Sequence, residues 1–350
     1  MLSTKTNKDL TTSPVFDALE QVYLARASYV AARLNIADLL AERPQTAEEL
    51  AARTGTHARS LYRILRALAG FNIFAENDQG EFELTADGEL LRSDVVGSVR
   101  NWTVVVGIDE SWEAFGKVLE VVKTGTDGFR LAHGKGAYEL MNEPGREYLK
   151  EVSVRGMRDW TTWQCKIVVG TYPFRRVKKM VDVAGGQGKL IAEILLNNPN
   201  MRGILFDQDY VVDMARKGIT DAGVADRCEF VGGSMFDAVP AGADGYVIKH
   251  VLRDWSDEES IQVLRNIEKA MLPGGTLYLI EGVIDPRNGV DRLQKLIDLE
   301  QMFWLSGGLR TQKEWDGLLD AAGFKRKTTL KTSVADMDIM IVQRKSEGGN

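Results

Sequence analysis

Val181-Asp182-Val183-Ala184-Gly185-Gly186-Gln187-Gly188-Lys189-Leu190 is the stretch on which the reading of this chain turns. It runs from a β-branched strand through a tight glycine turn into a helix opening at Leu190-Ile191-Ala192-Glu193. Asp207 ends the next strand pattern, Gly203-Ile204-Leu205-Phe206, roughly 20 residues after Gly185. Glycines at such a turn let bare backbone approach a nucleoside-bearing ligand, and an acid at that interval lies where ribose hydroxyls bind. A dinucleotide loop wants Gly or Ala three residues after the second glycine of its G-x-G. Here Gly186-Gln187-Gly188 is followed by Lys189, Leu190 and Ile191. A nucleoside without a pyrophosphate is the better fit.

Working outward, strands and helices alternate from Val177 onward. The strands are read at Met180-Val183, Gly203-Phe206, Glu229-Val231, Tyr246-Lys249, Thr276-Ile280 and Ile339-Val342, with helices suited to right-handed crossovers between them. This is an α/β, doubly wound, Rossmann-like domain, in which ligands bind outside the carboxyl ends of the strands. Those ends carry Asp182, Asp207, Ser234, Lys249 and Glu281.

The chain has 350 residues, a net charge of −6 and an isoelectric point near 5.4. That balance argues against a nucleic acid held by bulk charge. No apolar run reaches about 18 residues, so no membrane partner is expected. The opening Met1-Leu2-Ser3-Thr4-Lys5-Thr6-Asn7 lacks the apolar core of a signal peptide, and the first dozen residues read as polar and frayed. Cys165 and Cys228 have no metal-like spacing and the three histidines lie far apart. The expectation is a reduced, cytoplasmic protein with no metal.

Before the α/β region, Phe16 to about Glu42 is helical in pattern, and Thr46-Ala47-Glu48-Glu49 is a capping box. Leu61, Ile64, Leu65 and Leu68 form one face of a further helix, and Phe71 to Leu84 reads as a hairpin around Asp78-Gln79-Gly80. Helix, turn, helix, hairpin is a winged-helix arrangement. Arg59, Arg63 and Arg66 would suit DNA, but the wing, Glu76-Asn77-Asp78-Gln79-Gly80-Glu81, is acidic, so packing and homodimerisation are favoured. The organisation is therefore a mainly α winged-helix dimerisation domain over residues 1–97, a helical bridge over 98–176 and the Rossmann-like domain over 177–350. The bridge carries Trp102, Trp112, Trp160 and Trp163, and its loop histidine, His133, is a candidate to touch a ligand. Met157, Trp160, Met302, Phe303 and Trp304 are further candidates to line a substrate pocket.

In these motifs the chain resembles the class I S-adenosylmethionine-dependent O-methyltransferases of small-molecule metabolism, plant caffeic-acid-type and bacterial polyketide-tailoring enzymes among them. The resemblance rests on the glycine stretch, Leu205-Phe206-Asp207, Gly232-Gly233-Ser234-Met235-Phe236 and Lys249-His250-Val251-Leu252-Arg253-Asp254-Trp255-Ser256-Asp257-Glu258. Leu272-Pro273-Gly274-Gly275 and Arg310-Thr311-Gln312-Lys313-Glu314-Trp315 extend it. It implies that S-adenosylmethionine meets Asp182, Gly185, Gly186 and Gly188 with its methionine part. Asp207 would accept from its ribose hydroxyls, Ser234, Met235 and Phe236 would lie at its adenine, Lys249 at its polar tail, and Gln208 would be a further cofactor contact.

Three positions depart from the family pattern. The family's base, a His before Asp-Trp, is Arg253 here, and arginine stays protonated. The Glu before Arg-Thr is Leu309, and the Asp of Gly-Gly-Asp is Ser234. Arg253, Asp254 and the surviving acid Glu281 are left as the catalytic set. Methyl transfer by proximity alone is one expectation, to a small aromatic or enolic acceptor that Arg253 would hold as an anion. Another is a tailoring enzyme that binds the cofactor without giving up its methyl group, of pericyclase, decarboxylase or hydroxylase type. A third is a non-enzymatic sensor or scaffold. His250, next to Lys249, is expected on the opposite face of its strand.

Overall fold

The computed structural model describes residues 13–345, so the opening dozen read as frayed lie outside the described residues. The chain divides into two compact units. One comprises the chain up to Trp112 together with Met141–Trp160; the other comprises Glu113–Leu140 and everything from Thr161 onward. The segment read as a bridge is thus shared between the two units, and the long helix Glu147–Thr171 contributes to both.

The first unit opens with the helix Pro14–Arg33, capped by Ser13 and bearing Pro at its first turn. The continuous pattern to Glu42 is interrupted at Asn35, whose left-handed φ of +56° starts a second helix, Ile36–Glu42. Asparagine tolerates that conformation better than most residues. The capping box holds: Thr46 Oγ1 accepts from Glu49 N at 3.3 Å, and Glu49 Oε2 accepts from Thr46 N at 2.9 Å. Helix Ala58–Gly70 buries Leu61, Leu65 and Leu68. Strands β1 (Gln45–Thr46), β2 (Phe74–Glu76) and β3 (Glu81–Leu84) form a small antiparallel sheet with β3 central, completing the winged helix.

The second unit is built on seven strands. They are β4 (Lys179–Val183), β5 (Arg202–Asp207), β6 (Cys228–Gly232), β7 (Ala243–Lys249), β8 (Met271–Glu281), β11 (Phe324–Leu330) and β12 (Asp338–Arg344). Short β9 (Val283–Ile284) and β10 (Arg310–Thr311) pair separately. The order β11-β12-β8-β7-β4-β5-β6 puts the chain reversal between β4 and β7, with β4 to β8 parallel. Alternate residues bury on opposite faces. Val181, Val183, Tyr246 and Ile248 join one core, while Met180, Leu205, Val247 and Tyr278 join the other. β12 runs antiparallel to both its neighbours, so the last two strands form a hairpin instead of a crossover. The carboxyl ends of β4, β5, β7 and β8 bring Asp182, Asp207, Lys249 and Glu281 to one edge, where such sheets bind ligands.

Candidate active site

The glycine loop is built to exclude side chains. A Cβ on Gly185 would lie 2.5 Å from Leu205 Cδ1 and 2.7 Å from Asp182 Cγ. Gly186 and Gly188 take φ of +58° and +71°, open to glycine at little cost. Ala184 also sits at φ +53°, a conformation unfavourable for a residue with a Cβ. Asp207 fastens the loop: its Oδ2 accepts from Gly186 N at 2.8 Å and its Oδ1 from Gln208 N at 2.7 Å. Burial raises the Asp207 pKa while these two bonds pull it down.

Beside the loop, Asp182 is 2% exposed and its Oδ2 has no hydrogen-bond partner. Its carboxyl is pushed up to about 7, chiefly by burial. Lys249 Nζ donates to Gln164 Oε1 at 3.0 Å, and the Gln164 Nε2 is buried without a partner. Burial lowers the Lys249 pKa. Met235 and Phe236 pack against the core edge, and the Phe236 ring meets Trp255 edge-on at 4.8 Å. Ser234 Oγ accepts from Phe236 N at 3.3 Å, so the uncharged side chain shapes its own turn. A cradle without Cβ atoms, a carboxylate at the end of β5 and orphaned acceptor and donor atoms beside a lysine fit S-adenosylmethionine.

At the ends of β7 and β8 the expected catalytic residues meet. Arg253 is 8% exposed, on the turn Leu252–Asp254. Its NH1 donates to Asp336 Oδ2 at 3.1 Å, and its Nε lies 3.9 Å from Glu281 Oε2. Glu281 Oε1 accepts from Val251 N and Leu252 N, both at 2.9 Å, while its buried Oε2 has no hydrogen bond. Asp254 accepts from the Tyr138 hydroxyl at 3.1 Å, and burial pushes its carboxyl up to about 7. Leu309, expected where the family carries an acid, is buried, and its Cδ2 would lie 2.9 Å from a Cβ on Gly282.

His250 departs from its expected place. The strand ends at Lys249 and His250 turns back at φ +54°. Its Nδ1 therefore lies 3.3 Å from Lys249 Nζ on the same side, and its Nε2 lies 3.1 Å from the Asp336 carbonyl. Burial, with Arg253 and Lys249 nearby, holds its pKa well below the usual range, so the ring is neutral at pH 7.

Of the expected substrate-lining residues, the second unit gathers His133, Phe303 and Trp304. The Trp304 ring lies 4.6 Å from Phe129 and the Phe303 ring 5.0 Å from Phe115. The His133 ring is 5.3 Å from Phe129. Met302, on the same helix, is half-buried. Met157 and Trp160 belong to the first unit, where Trp160 stacks on Trp102 at 6.4 Å. Sequence reasoning missed Gln164, Tyr138, Asp336 and Glu300. Each lies on an element with no motif of its own, far in the chain from the residue it faces.

Two family models match the chain: an O-methyltransferase dimerisation domain over residues 16–94 and an O-methyltransferase domain over 115–325. The phenazine O-methyltransferase PhzM of Lysobacter antibioticus is 37% identical over 321 residues, 89% of this chain and 90% of that protein. The 8-amino-8-demethylriboflavin N,N-dimethyltransferase of Streptomyces davaonensis is 33% identical, over 85% of each chain. Among solved structures, the mitomycin 7-O-methyltransferase MmcR superposes with a TM-score of 0.88 at 32% identity, covering 95% of this chain and 97% of that one. An O-methyltransferase from neocarzinostatin biosynthesis, solved with S-adenosylmethionine and 2-hydroxy-5-methyl naphthoic acid, gives 0.81 at 28% identity, covering 94% and 98%. With both domains matched in order and the glycine loop and Asp207 in place, the chain belongs to the S-adenosylmethionine-dependent O-methyltransferase family.

Proposed function

We propose that this protein methylates a hydroxyl or amino group on a small aromatic natural product and works as a homodimer. The observation that carries the reading is the cofactor cradle at the β4 and β5 ends, followed along the same sheet edge by a cluster of carboxylates. S-adenosylmethionine supplies a methyl carbon made electrophilic by its positive sulfur. In this reading Gly185, Gly186 and Gly188 offer backbone to it, and Asp207 and Gln208 meet the ribose. Ser234, Met235 and Phe236 border the adenine. Asp182, Gln164 and Lys249 take the charged amino-acid end, which would satisfy the two orphaned atoms.

The acceptor is read as neutral. Arg253 already faces Glu281 and Asp336, so its charge is matched before any substrate arrives. Asp254 adds a further carboxyl at the same turn. An acceptor held by Arg253 as an anion is therefore not the reading adopted. Phe129, Phe303, Trp304 and His133 would keep water out and hold a flat ring. Holding the acceptor atom in line with the methyl carbon supplies much of the acceleration.

The test is incubation of the full chain with S-adenosylmethionine and a panel of hydroxynaphthalenes, aminonaphthalenes, hydroxyphenazines and aminoflavins. Mass spectrometry should find S-adenosylhomocysteine and singly methylated product in equal amounts. A changed product without S-adenosylhomocysteine would sink the methyl-transfer reading in favour of a non-methylating tailoring enzyme.

A further inference from the structure

The position of the family's base holds an arginine, yet a hydroxyl or amino acceptor must still lose a proton. The inference rests on the methyl-transfer reading above and supplies the residue that reading lacks. Arg253, Asp254, Glu281, Asp336 and Glu300 gather near the Leu252–Asp254 turn, with Arg310 and His250 beside them; the two ring nitrogens of His250 already meet Lys249 Nζ at 3.3 Å and the Asp336 carbonyl at 3.1 Å. Arg253 cannot accept a proton. Asp336 is taken by Arg253 at 3.1 Å. Glu281 is 0% exposed, receives two backbone N–H bonds and faces Arg253 with its other oxygen. Asp254 accepts the Tyr138 hydroxyl.

The remaining carboxylate is Glu300, on helix Arg292–Trp304. That helix is tied to the Asp336 loop because Gln294 Nε2 donates to the Ala335 carbonyl. Glu300 is half-buried, and the charges acting on it are those of Arg253 and Asp336. Among the described residues no hydrogen bond or ion pair engages it. Trp304 stands four residues on, so the two share a helix face. Trp304 packs on Phe129, and its indole N–H is buried without a partner. A carboxylate and an unsatisfied donor thus lie along one face of a helix beside an aromatic wall.

We propose that Glu300 is the catalytic base that takes the proton from the acceptor. An O–H bond forms on the Glu300 carboxylate as the acceptor's O–H or N–H bond breaks. The electron pair of that bond stays on the attacking oxygen or nitrogen, and the Trp304 N–H is placed to hold the aromatic acceptor's polar edge. Burial pushes the Glu300 carboxyl up to about 7, with Arg253 pulling it down and Asp336 pushing it further up. A base poised there is half ionised at neutral pH, where proton transfer works best. Its active form is the carboxylate, so rate should rise with pH through about 7 and level off above.

The experiment uses the full chain and the best hydroxyl acceptor from the panel, with its nitro-substituted analogue, whose hydroxyl is already ionised at neutral pH. Glu300→Gln should lower kcat/KM on the plain acceptor by about 10²- to 10⁴-fold and remove the rising limb. On the nitro analogue the same substitution should change the rate little. Calorimetric binding of S-adenosylhomocysteine should be unchanged, which shows that the variant is folded. Equal loss on both acceptors, or undiminished turnover of the plain one, overturns the proposal. So does loss of the rising limb in Asp254→Asn while Glu300→Gln keeps it. If the wild-type chain forms no S-adenosylhomocysteine with any acceptor, the methyl-transfer reading itself fails and the proposal falls with it.

Discussion

Single residues in this protein carry conflicts that the fold resolves locally. Arg253 is a fixed charge on a buried turn, and the fold answers with two carboxylates, Glu281 and Asp336. Removing one partner of a buried ion pair typically costs about 3–5 kcal/mol, because the remaining charges are left uncompensated. Asp182 presents the opposite case, a buried acid without a hydrogen bond to one oxygen. Its pKa is raised to about 7, against about 3.9 in an unfolded chain. The fold therefore favours its neutral form. The stability it contributes is complete below about pH 4 and is lost as pH rises through about 7. Thermal melts of the ligand-free protein should fall between about pH 5 and pH 8, and Asp182→Asn should flatten part of that fall. An unchanged slope in the variant would contradict the assignment. Glu300 and Asp254, also raised to about 7, share the sign and contribute to the same fall, as do Asp207, Glu281, Asp298 and Asp338, which burial also raises.

Elements position these residues through contacts that local sequence does not announce. Arg310 clamps the Leu252–Asp254 turn: its Nε donates to Asp257 Oδ1, its NH1 to the Leu252 carbonyl and its NH2 to the Trp255 carbonyl, each at 2.9 Å. Arg310→Met should leave S-adenosylhomocysteine binding intact while cutting kcat by at least about tenfold, since a misplaced turn spoils alignment without emptying the cradle. Equal weakening of cofactor binding, measured by calorimetry, would show a wider collapse instead. The capping box at Thr46 was legible because a cap is a short-range rule. Strand β11 was not legible. Its Lys325-Arg326-Lys327-Thr328-Thr329 run is polar because it lies at the sheet edge, and β12 alone pairs with it. His250 was misread because the alternation of a strand was applied to the residue just past its end at Lys249, where a single left-handed residue reverses the side chain's face.

At the scale of the whole molecule, the matched dimerisation domain accords with an uncovered apolar face on its first helix. Val15, Leu19 and Tyr23 are 74%, 60% and 77% exposed, on a helix whose buried residues are all alanine. A partner copy is the natural cover for such a face. Leu19→Asp combined with Tyr23→Asp should shift the protein from dimer to monomer in light scattering after size exclusion. A dimer that persists would place the interface elsewhere. No helix among the described residues is long and apolar enough to cross a membrane.

The sequence by itself determined the alternation of strands and helices from β4 to β8, the glycine turn, the acid Asp207 at the end of the following strand and the fixed positive charge of Arg253. Each is encoded within a strand, a turn or a fixed short interval, where backbone geometry depends on neighbouring residues. Only the tertiary structure decided what Arg253 faces, since Glu281 and Asp336 reach it from the ends of other strands and loops. It alone set Glu300 among the charges of Arg253 and Asp336 and left it without a bond. Charge and solvation are properties of what surrounds a group, and here the surroundings come from distant stretches of the chain.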